Sequence, residues 1–399
     1  GADQATPTAV SRDTVEDSQP TEHAKEGTTA DSPANPPAPV ESRPEVAQEI
    51  AVILGDSGGG EIVWRPSVQG SPHLFVTGIP GQGKSWTILR LLIELHRQAV
   101  PALVFDFHGQ LGSPEDRYVQ VAAPVVVDAV AGLPFSPFEC SSDASTSGWN
   151  ATAFAVSEIF AYVCDLGDIQ RDAMFTAIRD SYRAYGFGAD DRNGLGAGEY
   201  PTLEDVHARI EQAEKQKRTQ NLVARCRPLL EMDVFRPPVG TRNDLIDTIK
   251  QGMVVDLHRL ASETLQLAAG AFLLRKVYRD MFQWGPAAQL RLAIVLDEAH
   301  RLARDVTLPK IMKEGRKYGV AVVVASQGHG DFHPDVIANA GTKIVFRTNF
   351  PESRRVSGFF RMRSGYDVPA IVEGLGVGNA VVQTPEMPLA VRSQMRPPD

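Results

Sequence analysis

The sequence predicts an α/β fold in which a mostly parallel β-sheet is flanked by helices. Short apolar runs of strand length alternate with helical stretches, a pattern typical of a parallel sheet covered on both faces. A glycine-rich turn separates one such run, residues 74–77, from a helical stretch at 85–98. Shorter paired runs within 50–64 and 379–392 predict a β-hairpin at each end of the fold.

The predicted strands are spaced so that helices fit between them. They are residues 74–77, 102–105, 124–127, 253–256, 292–296, 320–324 and 343–346. In the longest interval apolar residues recur at helical spacing, which predicts a helical subdomain inserted at about 145–235. Within it, Thr202 and Asp205 form an approximate capping box at the start of one helix.

The first fifty residues differ in composition from the rest of the 399-residue chain. They hold ten acidic and three basic side chains and seven of the 28 prolines, and the first aromatic residue is Trp64. Such a segment buries too little apolar surface to offset the entropy lost on ordering. We therefore expect a disordered, acidic, proline-rich tail or linker at 1–48 and a folded domain at 49–395. The chain begins with Gly, which suggests a piece of a longer polypeptide.

Several protein classes are excluded by what the sequence lacks. The longest apolar run, 320–325, is far shorter than the roughly 20 residues of a membrane-spanning helix. The N-terminus has no basic-then-apolar signal peptide pattern. The cysteines, Cys140, Cys164 and Cys226, lie too far apart in sequence to suggest a disulfide framework or a zinc site. These features favour a cytoplasmic protein.

The strongest motif is Gly78-Ile-Pro-Gly-Gln-Gly-Lys84-Ser85, which fits GxxxxGK[ST] between a predicted strand and helix. In this pattern, backbone N–H groups and a helix N-terminus surround phosphate oxygens. The lysine reaches the β- and γ-phosphates, and the hydroxyl coordinates Mg²⁺. The alternative, a chance match, has a frequency of roughly one in a hundred sequences. We therefore predict ATP and Mg²⁺ as cofactors, bound by Gly78, Pro80, Gly81, Gln82, Gly83, Lys84, Ser85 and Trp86.

A second motif places two carboxylates, Asp297 and Glu298, directly after the apolar strand 292–296. In a sheet that carries a phosphate-binding loop, the first acid holds the Mg²⁺ shell and the second polarises the attacking water. Both belong at the carboxyl end of a strand, where open α/β sheets bind their ligands. The alternative is a pair of helix-capping acids. Together the two motifs predict ATP hydrolysis.

The strand at 320–324 is followed by Ser326-Gln327, and this ending argues against one helicase class. Asp-Glu-Ala-His at 297–300 also occurs in superfamily-two helicases, but their next strand should end in a Ser-Ala-Thr type motif. A glutamine at this position senses the γ-phosphate or orients the water. Alternatively, Gln327 only caps the following turn.

The sequence also resembles the HerA/FtsK class of DNA-pumping P-loop ATPases, and it is most similar to the HerA branch. The resemblance spans about 50–395 and rests on the stretches 78–85, 104–109, 133–138, 296–300, 314–319, 325–327 and 375–380. It implies a P-loop NTPase fold of the RecA/ASCE-like type. It also implies a ring, generally hexameric, with an active site at each subunit interface and duplex DNA threaded through the pore.

The resemblance assigns roles to individual residues. Lys84 and Ser85 match the Walker A positions, and Asp297 and Glu298 match the Walker B pair. Ser85 and Asp297 would then hold Mg²⁺, Glu298 would orient the water, and Gln327 matches the polar sensor.

Asp106 matches the acidic position of a DxHGE-like motif and is therefore counted with the cofactor-binding residues. Gln110 stands where Glu is common, and it receives no role. Alternatively, Asp106 and His108 only anchor a loop.

Arg316 matches an arginine finger that acts on the ATP of the neighbouring subunit. Such fingers supply ~10³–10⁵ in rate in other NTPases. Alternatively, Arg316 is one of several basic surface residues, and Arg347, after the strand 343–346, is the rival finger.

DNA contacts are less visible because the chain beyond residue 50 is nearly neutral. A ring motor needs only local cations that contact phosphates. The candidates are Lys215, Lys217, Arg218, Arg225, Arg227, Arg354, Arg355, Arg361 and Arg363. The alternative for each group is a solvated helix face.

The sequence departs from HerA proteins in two places, ahead of the P-loop and in the helical insertion. Only a hairpin and the acidic tail precede the P-loop, where a β-barrel is usual, and the helical insertion is larger than in a minimal member. The chain is therefore expected to be the motor part of a larger defence, restriction or conjugation protein, with a nuclease or other processing protein as a partner. Two other functions remain open: a nucleotide-gated module that assembles with proteins, and a conjugation- or secretion-type translocation ATPase.

Overall fold

Within the part of the chain that the structure describes, eleven strands form one sheet. The structure is a computed structural model that describes residues 49–140, 148–188, 199–237, 245–328 and 332–398. The tail predicted at 1–48 lies outside the described residues. The strands are β1 Val52–Ser57, β2 Gly60–Trp64, β3 Leu74–Thr77, β4 Ala102–Asp106, β5 Val125–Asp128, β6 Met253–Asp256, β7 Leu292–Leu296, β8 Val320–Ser326, β9 Thr342–Phe346, β10 Asn379–Gln383 and β11 Val391–Met395.

Helices connect these strands and cover the sheet. They are α1 Lys84–Arg97, α2 Arg117–Ala122, α3 Trp149–Val163, α4 Asp168–Ala184, α5 Leu203–Lys215, α6 Leu222–Glu231, α7 Leu245–Ile249, α8 Glu263–Met281, α9 Thr307–Glu314, α10 Pro334–Asn339, α11 Glu352–Val356 and α12 Val368–Glu373. Short 3-10 turns lie at Phe282–Trp284, Ala299–Leu302, Gly315–Tyr318 and Ser357–Phe359. No helix among the described residues is both long and apolar enough to cross a membrane.

The strand order is β2-β1-β11-β10-β9-β3-β8-β7-β4-β6-β5. The seven strands from β9 to β5 are parallel to one another, which confirms the predicted fold class. The remaining four are antiparallel, and β1 of the first hairpin pairs with β11 of the last. The two terminal hairpins therefore extend a single sheet, a union that the local sequence patterns did not predict.

Side chains of the central strands pack alternately on the two faces of the sheet, as the period of two requires. Leu103 and Phe105 belong to one apolar cluster and Val104 to the other. The cluster of Phe105 also contains Phe160 and Ile210, which belong to helices between β5 and β6. Helices α3 to α6 thus share a core with one face of the sheet. The bounds of the predicted domain and of its insertion remain predictions.

A buried histidine, His73, supports the start of β3. It is 1% exposed, and its Nδ1 accepts a hydrogen bond of 3.0 Å from the N–H of Val322 in β8. Burial lowers the pKa of His73 from 6.5 to about 4. The folded protein therefore binds fewer protons here than the unfolded chain at pH values between the two pKa values.

We expect stability to fall as the pH drops from about 6.5 towards 4, because the unfolded chain gains a proton on His73 that the folded protein resists. The loss should approach about 3 kcal/mol. Urea unfolding at several pH values would measure it, with His73→Asn as a non-titrating control that keeps an acceptor. Parallel pH profiles for the two proteins would contradict the prediction.

Candidate nucleotide-hydrolysis site

Four of the five sequence segments that carry predicted site residues meet at one edge of the sheet. The loop 78–85 follows β3, Gln327 follows β8, the pair Asp297–Glu298 follows β7, and Asp106 ends β4. These strands are consecutive neighbours in the sheet and parallel to one another. Their carboxyl ends therefore lie side by side, where open α/β sheets bind their ligands.

The loop after β3 packs closely against β9. Gly78 has a φ of +152°, and a Cβ at this position would lie 2.6 Å from the Cβ of Phe346. Only glycine fits there without a shift of the backbone or of β9. The N–H of Ile79 donates to the carbonyl of Arg347 at 2.9 Å, and the N–H of Gly378 donates to the carbonyl of Gln82 at 2.9 Å. The loop is therefore fixed on both sides.

Helix α1 begins at Lys84, directly after this loop. The Lys84 side chain turns back into the loop, where Nζ donates to the carbonyls of Gly78 and Ile79 at 2.6 and 3.1 Å. Burial lowers the pKa of Lys84, while the negative charges of Glu298 and Asp297 oppose this effect. A buried cation thus lies within the electrostatic reach of two carboxylates.

The other residues predicted to bind the cofactor in this segment are more accessible. Pro80, Gly81, Ser85 and Trp86 are exposed, and Gln82 and Gly83 are half-buried. Ser85 and Trp86 belong to the first turn of α1, whose free backbone N–H groups favour an anion. This arrangement suits a phosphate chain laid over the loop.

Asp297 and Glu298 are each 5% exposed. Burial and then the negative charge of Glu298 raise the pKa of Asp297 to about 6. Glu298 has a φ of +54°, an uncommon conformation for a residue other than glycine. Two buried carboxylates in sequence suit a hard cation such as Mg²⁺, because it would offset their charge and prefers oxygen ligands.

The carboxylate of Glu298 is contacted by three side chains. Gln327 Nε2 donates to its Oε1 at 2.8 Å, and His108 Nε2 lies 3.2 Å from the same oxygen. His300 Nδ1 lies 3.0 Å from Oε2, although Oε2 accepts no well-aligned hydrogen bond from the described residues. Burial favours the neutral form of Glu298, but the contacts with His300, Gln327 and His108 together lower its pKa to about 2. Glu298 is therefore ionised at neutral pH and can accept hydrogen bonds.

The sequence predicts Gln327 as a site residue but assigns no role to His108 or His300. Both follow strand ends at the edge that carries the site, β4 for His108 and β7 for His300. That shared position was a usable signal, because side chains that follow neighbouring parallel strands come together.

Asp106 is fully buried, and backbone groups occupy both of its carboxylate oxygens. Oδ1 accepts from the N–H groups of His108 and Gly109 at 3.0 and 2.7 Å, and Oδ2 accepts from Gly112 at 3.0 Å. The geometry thus gives Asp106 the loop-anchoring contacts of the alternative interpretation. Its direct contact with a cofactor remains a prediction.

The two candidate arginine fingers lie at opposite ends of the parallel strands, Arg316 at the amino ends and Arg347 at the carboxyl ends. Arg316 precedes β8, and its Nη1 donates to the carbonyl of Gly70 at 3.1 Å, ahead of β3. Arg347 follows β9, and its carbonyl holds the loop residue Ile79. Arg316 is therefore on the edge away from the P-loop of its own chain, and Arg347 is beside that loop.

About half of the basic residues predicted to contact DNA are engaged by carboxylates. Ion pairs join Lys215 to Glu211, Arg225 to Asp165, Arg227 to Glu231 and Arg355 to Glu352. The guanidinium of Arg354 lies 5.2 Å from the ring centroid of Phe350. Lys217, Arg218, Arg361 and Arg363 form no side-chain ion pair within the described ranges.

Two solved structures share the fold of this chain. The chain superposes on VirB4 of Thermoanaerobacter pseudethanolicus with a TM-score of 0.66 and 18% identity, covering 86% of this chain and 96% of that one. The bacterial conjugative coupling protein TrwB gives a TM-score of 0.59 at 14% identity, covering 81% and 85%. At these identities the likeness concerns the fold alone.

Curated relatives match in sequence over parts of their length. The probable DNA double-strand break repair helicase HerA of Methanocaldococcus jannaschii is 31% identical over 96 residues, which are 22% of this chain and 19% of the relative. The DNA double-strand break repair helicase HerA of Pyrococcus furiosus is 26% identical over 193 residues, 39% and 35% of the two chains. That of Sulfurisphaera tokodaii is 20% identical over 359 residues, 84% and 67%. The matches thus span from a fifth to two thirds of the relatives' length.

A family model for the central domain of helicase HerA matches residues 70–277, which include the P-loop, Asp106 and the helices α3 to α6. This match covers more than half of the chain. The protein therefore belongs to the HerA family of P-loop ATPases.

Proposed function

We propose that this chain hydrolyses ATP with Mg²⁺ and couples hydrolysis to translocation or remodelling of DNA in a ring, six subunits being the expected number. The observation that carries the proposal is the position of the buried Glu298. It is held by Gln327 and lies at the same sheet edge as the P-loop and Asp297. Family membership and the DNA-repair helicase names of the relatives support the choice of DNA. A role of this activity in DNA processing or anti-phage defence is part of the same proposal.

In this proposal, each side chain at the edge has one task. Lys84 neutralises charge on the β- and γ-phosphates, and Ser85 and Asp297 hold Mg²⁺, which supplies further charge neutralisation when bound. Few protein ligands suffice because Mg²⁺ usually keeps waters and phosphate oxygens in its shell. Accordingly, the described residues include no cluster of three or more His, Cys, Asp or Glu that would form a metal site by itself.

Glu298 accepts a hydrogen bond from the attacking water. The described residues donate one well-aligned hydrogen bond to its carboxylate, from Gln327 to Oε1, so the carboxylate keeps acceptor capacity for a water molecule. The low pKa of Glu298 means that it orients the water as an ionised acceptor. The proton of the water can leave with the phosphate product.

The proposal predicts that duplex DNA stimulates ATP hydrolysis, and that the stimulation weakens as salt rises because phosphate contacts release counterions. Steady-state phosphate release at low and moderate salt would measure both effects. Glu298→Gln should lower turnover by ~10²–10⁴ with and without DNA, and Glu204→Gln, on the exposed start of α5, is the matched control. Hydrolysis that depends on Glu298 but ignores DNA would instead favour a protein-partner or conjugation-type ATPase.

A further inference from the structure

A chain of contacts leads from Asp106 to the Glu298 carboxylate. Asp106 accepts three backbone hydrogen bonds from the turn that follows β4, at His108, Gly109 and Gly112. The turn is also confined from outside, because Gly109 has a φ of +73° and a Cβ there would lie 2.4 Å from Nδ1 of His258. The backbone of His108 is therefore held in one place.

From this fixed turn, His108 reaches one oxygen of Glu298. Its Nε2 lies 3.2 Å from Oε1, the oxygen that also accepts the hydrogen bond of Gln327. Two nitrogens, from residues that follow β4 and β8, therefore lie beside Oε1. The other oxygen, Oε2, is buried and has His300 Nδ1 at 3.0 Å, so side chains contact the carboxylate at both of its oxygens.

We propose that His108 is a positioning residue that, together with Gln327, fixes the orientation of the Glu298 carboxylate towards the attacking water. The inference rests on the proposed hydrolysis and adds a residue to it. It also gives Asp106 a task without contact with the nucleotide, since its three hydrogen bonds hold the turn that presents His108.

The side chain of His108 is suited to replacement because it is 42% exposed, so its removal leaves no closed cavity. Removing it should leave ATP bound but let the Glu298 carboxylate rotate away from the water. A misplacement of about 1 Å can cost ~100-fold in rate. We therefore expect His108→Ala to lower kcat by ~10–100-fold and to change the Kd for ATP by less than about twofold.

His108→Gln tests the contact itself, because its amide offers an N–H donor in place of Nε2. We expect it to regain most of the kcat lost in His108→Ala. His207→Ala is the matched control, since His207 is a histidine of α5 near Glu211, outside the sheet edge that carries the site. Equal melting temperatures among the variants would confirm that folding is intact.

The decisive measurement combines His108→Ala with Glu298→Gln under single-turnover conditions. A residue that acts through Glu298 has no further effect once Glu298 is replaced, so the double variant should hydrolyse ATP as slowly as Glu298→Gln alone. If His108→Ala lowered the residual rate of Glu298→Gln by the same factor as in the natural protein, the inference would be wrong. An effect confined to KM, or an unchanged kcat in His108→Ala, would also overturn it.

The proposed function fails in a different way. If Glu298→Gln hydrolysed ATP as fast as the natural protein, the role of Glu298 would itself be lost. If Glu298→Gln were inactive and His108→Ala fully active, only the role of His108 would be refuted.

Discussion

Lys84→Ala is expected to abolish ATP turnover and to weaken ATP binding. The ammonium of Lys84 lies within the P-loop, 2.6 and 3.1 Å from two of its carbonyls, and is 8% exposed. It is also the cation that faces Asp297 and Glu298. Its removal takes away the charge that offsets the phosphates and leaves two buried carboxylates less compensated, which disfavours an anionic ligand.

Glu298→Gln should separate binding from hydrolysis. The amide has the size of the carboxylate and leaves Lys84 and the P-loop intact, so ATP should bind, but kcat should fall by ~10²–10⁴. Binding of a fluorescent ATP analogue and release of phosphate would measure the two effects in both variants.

Lys343→Ala is the matched control for the loss of a buried lysine. Lys343 lies in β9, and burial lowers its pKa too, but its Nζ donates to Ala340 at the amino end of the parallel strands. A folded Lys343→Ala protein should bind and hydrolyse ATP as the natural protein does. More than a tenth of the natural turnover in Lys84→Ala or Glu298→Gln would refute the assignment.

The parts of the site that depend on local sequence and strand direction were predictable. An apolar strand followed by GxxxxGKS or by two acids fixes where Lys84 and Glu298 occur along the chain. The rule that parallel strands present their carboxyl ends at one edge then brings them together. The same rule placed Gln327, whose hydrogen bond to Glu298 needs only that β7 and β8 are neighbours.

The features that the sequence does not predict depend on contacts that local patterns do not encode. The pairing of β1 with β11 joins residues more than 300 positions apart, and nothing in either hairpin encodes its partner. The motif leaves two interpretations of Asp106, a cofactor contact and a loop anchor, and its buried carboxylate binds three N–H groups of its own loop. The choice between ligand and loop anchor depends on the backbone path after β4, which the motif does not reveal.

The edge of the sheet on which an arginine lies matters for its role as a finger. Arg316 contacts Gly70 ahead of β3, on the edge away from the P-loop. An arginine there has a catalytic role only if it reaches the ATP of another subunit. Arg347 borders the P-loop of its own chain through the hydrogen bond to Ile79, so it remains the rival.

Arg316→Ala is therefore expected to lower kcat by ~10³–10⁵ and to be rescued by mixing with Lys84→Ala. Each variant is inactive by itself. In mixed assemblies, however, a Lys84→Ala subunit still supplies Arg316 to the intact P-loop of an Arg316→Ala neighbour. Phosphate release from a series of mixing ratios should pass through a maximum near equal amounts.

The mixing experiment distinguishes the two arginines and tests the assembly at the same time. Arg347→Ala mixed with Lys84→Ala serves as the comparison, and recovery there without recovery for Arg316→Ala would assign the finger to Arg347. Arg304→Ala, a basic residue that follows the turn Ala299–Leu302, is the control for loss of positive charge and should retain activity without mixing. If neither mixture recovers activity, no arginine of this pair acts between subunits, and the shared active site of the proposed ring is refuted.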